Sequence, residues 1–212
     1  MSQRGETMQK TYQVGILLFD DVDVLDFAGP FEVFNLTVFQ ESDVNKLFTN
    51  QLDSKPFHVS TVSEDGQTVT AHNGLRVTPD YSFGDHPAFD IIIVPGGPLK
   101  AMQLVQQNEK IIHWINVHRE QLVASVCTGA FFLGQAGLLS GKQATTNRVA
   151  LSMLEHTFED VEVIRGVKYV DAGQVITSAG ISAGIQMSLH VIERLFDEEM
   201  AKRTARTIEI DE

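Results

Sequence analysis

Three short apolar runs most narrowly limit the folds open to this chain. QVGILLF (Gln13–Phe19), DIIIVPGG (Asp90–Gly97) and LVASVC (Leu122–Cys127) show neither strict alternation nor a helical period. A strand with one wet face alternates polar and apolar residues. A run that is apolar throughout belongs to a strand covered on both faces. Helical segments separate these runs. Residues Leu99–Gln107 and Glu109–Glu120 read as helices, the second carrying Ile111, Ile112, Trp114, Ile115 and Val117. TGAFFLGQAGLL follows the third run, and Ser182–Phe196 and EEMAKRTAR come later. Buried strands interleaved with helices predict an α/β architecture: a mostly parallel central sheet with helices on both sides, a three-layer sandwich.

The remaining segments fit around that frame. Gly29-Pro30 is expected to open a helix, since proline suits the first turn, with Val33, Phe34, Leu36, Val38 and Phe39 supplying its packing surface. Gln40–Lys55 is polar and reads as an exposed insertion or extended helix end. FHVSTVS (Phe57–Ser63) reads as a strand, and Asn73-Gly74 carries the dipeptide signal of a tight hairpin. QATT (Gln143–Thr146), VEVI, VKYV and QVITS add strands, and TIEI near the C-terminus is a candidate last strand.

Composition removes whole classes of function. Acidic residues outnumber basic ones 28 to 16, a formal charge of −12. Such a field repels phosphate backbones and anionic lipid, so neither nucleic acid nor membrane is an expected partner. One cysteine leaves no internal disulfide and no multi-cysteine metal site. No apolar run approaches the ~18–20 residues of a membrane span, and the leader 1–11 is polar with no secretion-signal core. The expectation is a cytoplasmic protein with a disordered leader over 1–11 and a single domain over 12–212.

Ligands of open α/β sheets gather beyond the carboxyl ends of the strands. Three features fall there: Asp26 after the first run, Gly96-Gly97 after the second, and Cys127 at SVC-TGA. The last is the most informative. A strand that enters a helix through one residue forces that residue into a tight turn with its side chain raised, the logic of a nucleophile elbow. Unpaired N–H groups at the helix start would favour thiolate over thiol and hold a developing negative charge. The competing reading is a buried structural cysteine, a common fate of free cysteine. Asp26, flanked by Leu25 and Phe27, is expected to be partly buried and to keep its proton more readily, as a general acid requires. Asp20, Asp21 and Asp23 read as a solvated loop. Gly96 and Gly97 would allow close backbone approach and offer N–H donors. The seven histidines are scattered, with no His-Glu-x-x-His pattern. No metal and no cofactor is expected, and His190 reads as a satisfied packing residue.

Four pieces in register carry a family likeness: VGILLFDDVDVLDFAGPFEVF, DIIIVPGG, ASVCTGAFFLGQAGLLSGKQATTN and VITSAGISAGIQMSLHVIERL. Together they resemble the DJ-1/PfpI superfamily from Tyr12 to about Ile210. LDFAGP, VCTG and TSAGISAGI look like its isocyanide hydratase branch and the related amidase-like sensor domain of AraC-type regulators. The resemblance implies a flavodoxin-like, class I glutamine amidotransferase-like sandwich, usually a homodimer. It implies Cys127 as nucleophile and Asp26 as acid/base partner. Thr128 would supply a backbone N–H and its hydroxyl beside the sulfur, and Gly96 and Gly97 the other wall of an anion site. Two departures stand out. Protease-like members carry a histidine after the nucleophile where this chain has Thr128, and the common ATTHW reads Ala144-Thr145-Thr146-Asn147-Arg148 here. The leading functional expectation is hydration of an isocyanide to an N-substituted formamide, a lyase reaction. A ligand-sensing or redox-responsive module without catalysis and glyoxalase- or deglycase-like chemistry are the alternatives.

Overall fold

A computed structural model of the chain describes residues 10–49 and 51–210. The polar leader expected over 1–11 lies outside the described residues apart from Lys10 and Thr11. In chain order the elements are β1 (Tyr12–Leu17), α1 (Val24–Asn35), α2 (Val44–Phe48), β2 (Phe57–Ser63), β3 (Val69–Thr70), β4 (Arg76–Val77), β5 (Tyr81–Ser82) and β6 (Ile91–Val94). There follow α3 (Leu99–Gln107), α4 (Glu109–Val117), β7 (Leu122–Ser125), α5 (Gly129–Gln135), β8 (Gln143–Ala144), α6 (Leu151–Thr157), β9 (Glu162–Val163), β10 (Tyr169–Asp171), β11 (Val175–Ser178), α7 (Ala183–Leu195) and α8 (Glu198–Thr207).

Seven strands form the main sheet in the order β10-β11-β7-β6-β1-β2-β5. Every neighbouring pair is parallel except β10 and β11. The three apolar runs are its adjacent central strands β7, β6 and β1, where both faces are covered. Ile91, Ile92, Ile93 and Val94 are all buried, each isoleucine contributing about 1.5–3 kcal/mol relative to an exposed position. Helices α1 and α8 both pack on α7, and α3, α4 and α5 pack on one another, and these flanking groups complete the flavodoxin-like α/β sandwich. From β1 the chain crosses through α1 to β2 on one side, while β6, β7 and β11 are laid down on the other. The order therefore reverses between β1 and β6, and such a reversal opens a crevice at the carboxyl ends of the strands.

Several local expectations are corrected. Helix α1 begins at Val24 with Asp23 as its N-cap, not at Gly29-Pro30. Pro30 lies inside the helix, where its missing N–H leaves the Asp26 carbonyl without its usual donor four residues on. Asp26 accordingly sits in the first helical turn. QATT and VEVI pair as β8 and β9 in a small parallel sheet of their own. TIEI is not a strand: α8 runs to Thr207 and the Ile210 N–H closes on the Ala205 carbonyl. Asn73-Gly74 does turn a hairpin, but through a short 3-10 turn at His72–Gly74 between β3 and β4. Gln40–Lys55 contains a 3-10 turn and α2, with Leu47 buried and Phe48 exposed.

Candidate active site

The turn at Cys127 is built by its neighbours. Val126 donates its N–H to the Val94 carbonyl and Cys127 donates to the Ala179 carbonyl, each at 3.0 Å, so β6 and β11 grip the end of β7. The Thr146 hydroxyl donates to the Cys127 carbonyl at 2.6 Å. Held on both sides, Cys127 adopts φ 56°, a left-handed conformation that a non-glycine residue keeps only when its surroundings fix it. Two glycines make the junction close enough. A Cβ on Gly129 would collide with the Val94 carbonyl oxygen, and one on Gly96 would lie 2.6 Å from the Thr128 nitrogen.

Asp26 reaches the same point from α1. Its residue is fully buried, and its Oδ2 accepts the Gly96 N–H at 3.0 Å. The other oxygen, Oδ1, is buried with no hydrogen-bond partner. Donor atoms of Asp23, Asp26 and Cys127 all lie within 4.8 Å of one another. Burial pushes the Asp26 carboxyl up to about 7, with the Gly96 hydrogen bond and the nearby Cys127 thiol opposing the rise and the neighbouring Asp23 charge adding to it. Burial also raises Asp23, against the pull of His72. Burial of Asp26 thus goes further than its apolar flanks suggested, and Asp23 belongs to the site rather than to a solvated loop.

The sulfur itself is held as a thiol. Burial first, then the Asp26 charge, push Cys127 up to about 11. The Asn147 amide and the Thr128 and Ile181 N–H groups pull the other way without reversing the shift. This corrects the expectation of a resting thiolate: a helix start supplies N–H groups, but a desolvated sulfur beside a carboxylate loses more than they return. Asn147 Nδ2 lies 3.4 Å from Sγ, and its Oδ1 accepts the Val149 N–H, which fixes the amide with its donor end toward sulfur. Of the expected donors, the Thr128 N–H does face the sulfur. The Thr128 hydroxyl does not, because it donates to the Gly97 carbonyl at 2.8 Å and accepts the Gly97 N–H at 2.9 Å. Gly96 and Gly97 therefore spend their N–H groups on Asp26 and Thr128. They position the site rather than line an anion pocket.

With the site assembled at the sheet's reversal point, the comparisons with known proteins decide its lineage. The sequence model of the DJ-1/PfpI family matches residues 12–194. The chain belongs to the DJ-1/PfpI family. Over 193 residues it is 34% identical to an isonitrile hydratase from Pseudomonas putida, covering 90% of this chain and 75% of that protein. It is 27% identical to the HTH-type transcriptional regulator GbdR of Pseudomonas aeruginosa over 89% of this chain, and spans about half (48%) of that regulator's length. In structure it is similar to a ThiJ/PfpI family protein from Pseudomonas syringae, with a TM-score of 0.80 at 23% identity over 100% of this chain and 82% of that one.

Two further features surround the DJ-1/PfpI elbow. Asn147 and Ile181, which both reach the sulfur, also line an open cavity of about 580 Å³, within the usual range for small-molecule sites. Ile181 has φ 39°, unusual for a β-branched residue. The donor atoms of Asp23, Asp26 and Cys127 are close enough to approach one cation. With the thiol and Asp26 both raised, protons compete for those positions at neutral pH. Among the described residues no helix is long and apolar enough to cross a membrane.

Proposed function

We propose that this protein hydrates an isonitrile to an N-substituted formamide, with Cys127 as nucleophile and Asp26 as the acid/base that shuttles its proton. The observation that carries the reading is the buried Asp26 carboxyl, whose Oδ1 has no hydrogen-bond partner and one of whose oxygens lies within 4.8 Å of a thiol raised on an elbow. A carboxyl near 7 facing a thiol near 11 suits a proton handed over only as the bond forms. The Asp26 carboxylate takes the thiol proton while Sγ attacks the terminal carbon of R–N≡C. The same proton is then delivered to that carbon, leaving the thioimidate R–N=CH–S–Cys127. Asp26 next takes a proton from water as the hydroxide adds to carbon, and passes it to nitrogen. The C–S bond breaks as the hydroxyl proton returns through Asp26 to sulfur, releasing R–NH–CHO and the free thiol. Thr128 and Asn147 donate hydrogen bonds to the sulfur, which holds negative charge at attack and departure. The similarity to the Pseudomonas putida isonitrile hydratase supports this choice of substrate. We further propose that the protein acts as a homodimer.

The test follows formamide formation spectrophotometrically with p-nitrophenyl isocyanide. Wild type is expected to turn over, and Cys127→Ala to match the uncatalysed rate. Equal rates for the two defeat the reading. The similarity to a transcriptional regulator favours one other use of the same cavity: ligand sensing without turnover, which gives saturable binding and no formamide.

A further inference from the structure

The cavity beside Cys127 has a polarity that neither the reaction nor the family requires. Its lining includes Asn147 and Ile181, residues that touch the sulfur. Its lining includes two cations, Arg148 and Lys168, and no acidic residue. Both cations are exposed, and among the described residues neither side chain has a hydrogen-bond or ion-pair partner. Several other exposed bases of this acidic chain are tied to carboxylates, as in Lys46–Asp43, Lys110–Glu64 and Arg165–Glu155, and what sets Arg148 and Lys168 apart from the remaining unpaired ones is that they share one cavity. Beside the sulfur itself sit two carboxyls, Asp23 and Asp26.

We propose that Arg148 and Lys168 select a carboxylate, so that the natural substrate is an isonitrile with a carboxylate on the tail remote from its reactive carbon. This rests on the hydratase reading above and adds to it the substrate class. The electrostatics set the orientation. A carboxylate next to the sulfur would face Asp23 and Asp26, whereas beside Arg148 and Lys168 it meets two unpaired cations, one of them a guanidinium able to bind both of its oxygens. A molecule with an anionic end therefore enters with its neutral end toward Cys127. Against a net charge of −12, a local pair of cations is also what permits an anion to approach.

The lone cysteine gives a test independent of hydration. Cys127 is alkylated with N-iodoacetyl-β-alanine, with its neutral amide, and with an N-iodoacetyl reagent of equal length ending in ammonium; each rate is divided by that reagent's rate with 2-mercaptoethanol. The carboxylate reagent is expected to be about tenfold faster than the amide at low ionic strength, with the ammonium slowest and the preference shrinking in 0.5 M salt. In the Arg148→Gln/Lys168→Gln double variant the ratio is expected to fall to about one, while Arg148→Lys keeps a reduced preference. Equal labelling by all three reagents in the wild type, or an unaltered ratio in the double variant, overturns the proposal even if neutral isonitriles are hydrated. A clear carboxylate preference in a protein that hydrates no isonitrile at all would instead overturn the reaction assigned above and leave the carboxylate-selecting cation pair standing.

Discussion

Around the sulfur, the charge of Asp26 raises the Cys127 thiol while the nearby thiol lowers Asp26. Neutral carboxyl and thiolate would be the wrong pair to store: a buried anion on sulfur is costly, and a carboxylate within 4.8 Å can take the proton when substrate arrives. The arrangement explains why Asp26 keeps one oxygen bound to Gly96 and the other bare. Asp26→Asn removes the negative charge and leaves the burial, so the Cys127 thiol should titrate lower than about 11 even though the site is just as dry. The measurement is the pH dependence of iodoacetamide labelling at the single cysteine in both proteins. A midpoint that stays put or climbs in Asp26→Asn would mean that the carboxylate does not act on the sulfur.

Among the elements, the junction of β6, β7 and α5 depends on contact too close for any side chain. Gly129→Ala drives a methyl into the Val94 carbonyl, and the ends of β6 and α5 must part. The expected result is a loss of about 1–3 kcal/mol, read as a lower urea midpoint, together with loss of any Cys127-dependent turnover. A variant with the wild-type midpoint would show that β6 and α5 are not apposed this tightly. This junction was legible in the sequence because it is written locally: LVASVC runs into TGAFF without a spacer, and an unbroken apolar run declares its own burial. The start of α1 was not. Pro30 carries a helix-start signal and Asp23 carries a cap signal, and only packing of the first turn against β6 through Asp26–Gly96 decides between them. TIEI has the residues of a strand, yet Ile208 packs on the core beyond α8, so tertiary position overrides propensity. The roles of Asp23 and Asn147, and the diversion of the Thr128 hydroxyl to Gly97, arise between residues far apart in sequence. No spacing along the chain encodes them.

At the scale of the whole molecule, the same carboxyl that serves the site works against the fold. Asp26 titrates near 7 in the folded protein, against about 3.9 in an unfolded chain. A raised folded value means that the native state holds this proton more tightly. Its contribution to stability is therefore complete below about pH 4 and is lost as the pH climbs through 7. Above that, keeping the carboxylate buried costs about 4 kcal/mol, since each unit of displacement is worth about 1.4 kcal/mol. That is a large share of the 5–15 kcal/mol by which domains are commonly stable. Cys127, held near 11, stays a thiol across this window and does not offset the loss. Asp26→Asn keeps the shape and an oxygen for the Gly96 N–H but has nothing to ionise, so it should be the more stable protein at pH 8, by up to about 4 kcal/mol, with the advantage fading to little at pH 4. Urea unfolding of both proteins at the two pH values measures the difference. An advantage equal at both pH values would trace the effect to packing rather than charge, and a variant weaker at pH 8 would show that the buried carboxylate is held by interactions stronger than its one hydrogen bond.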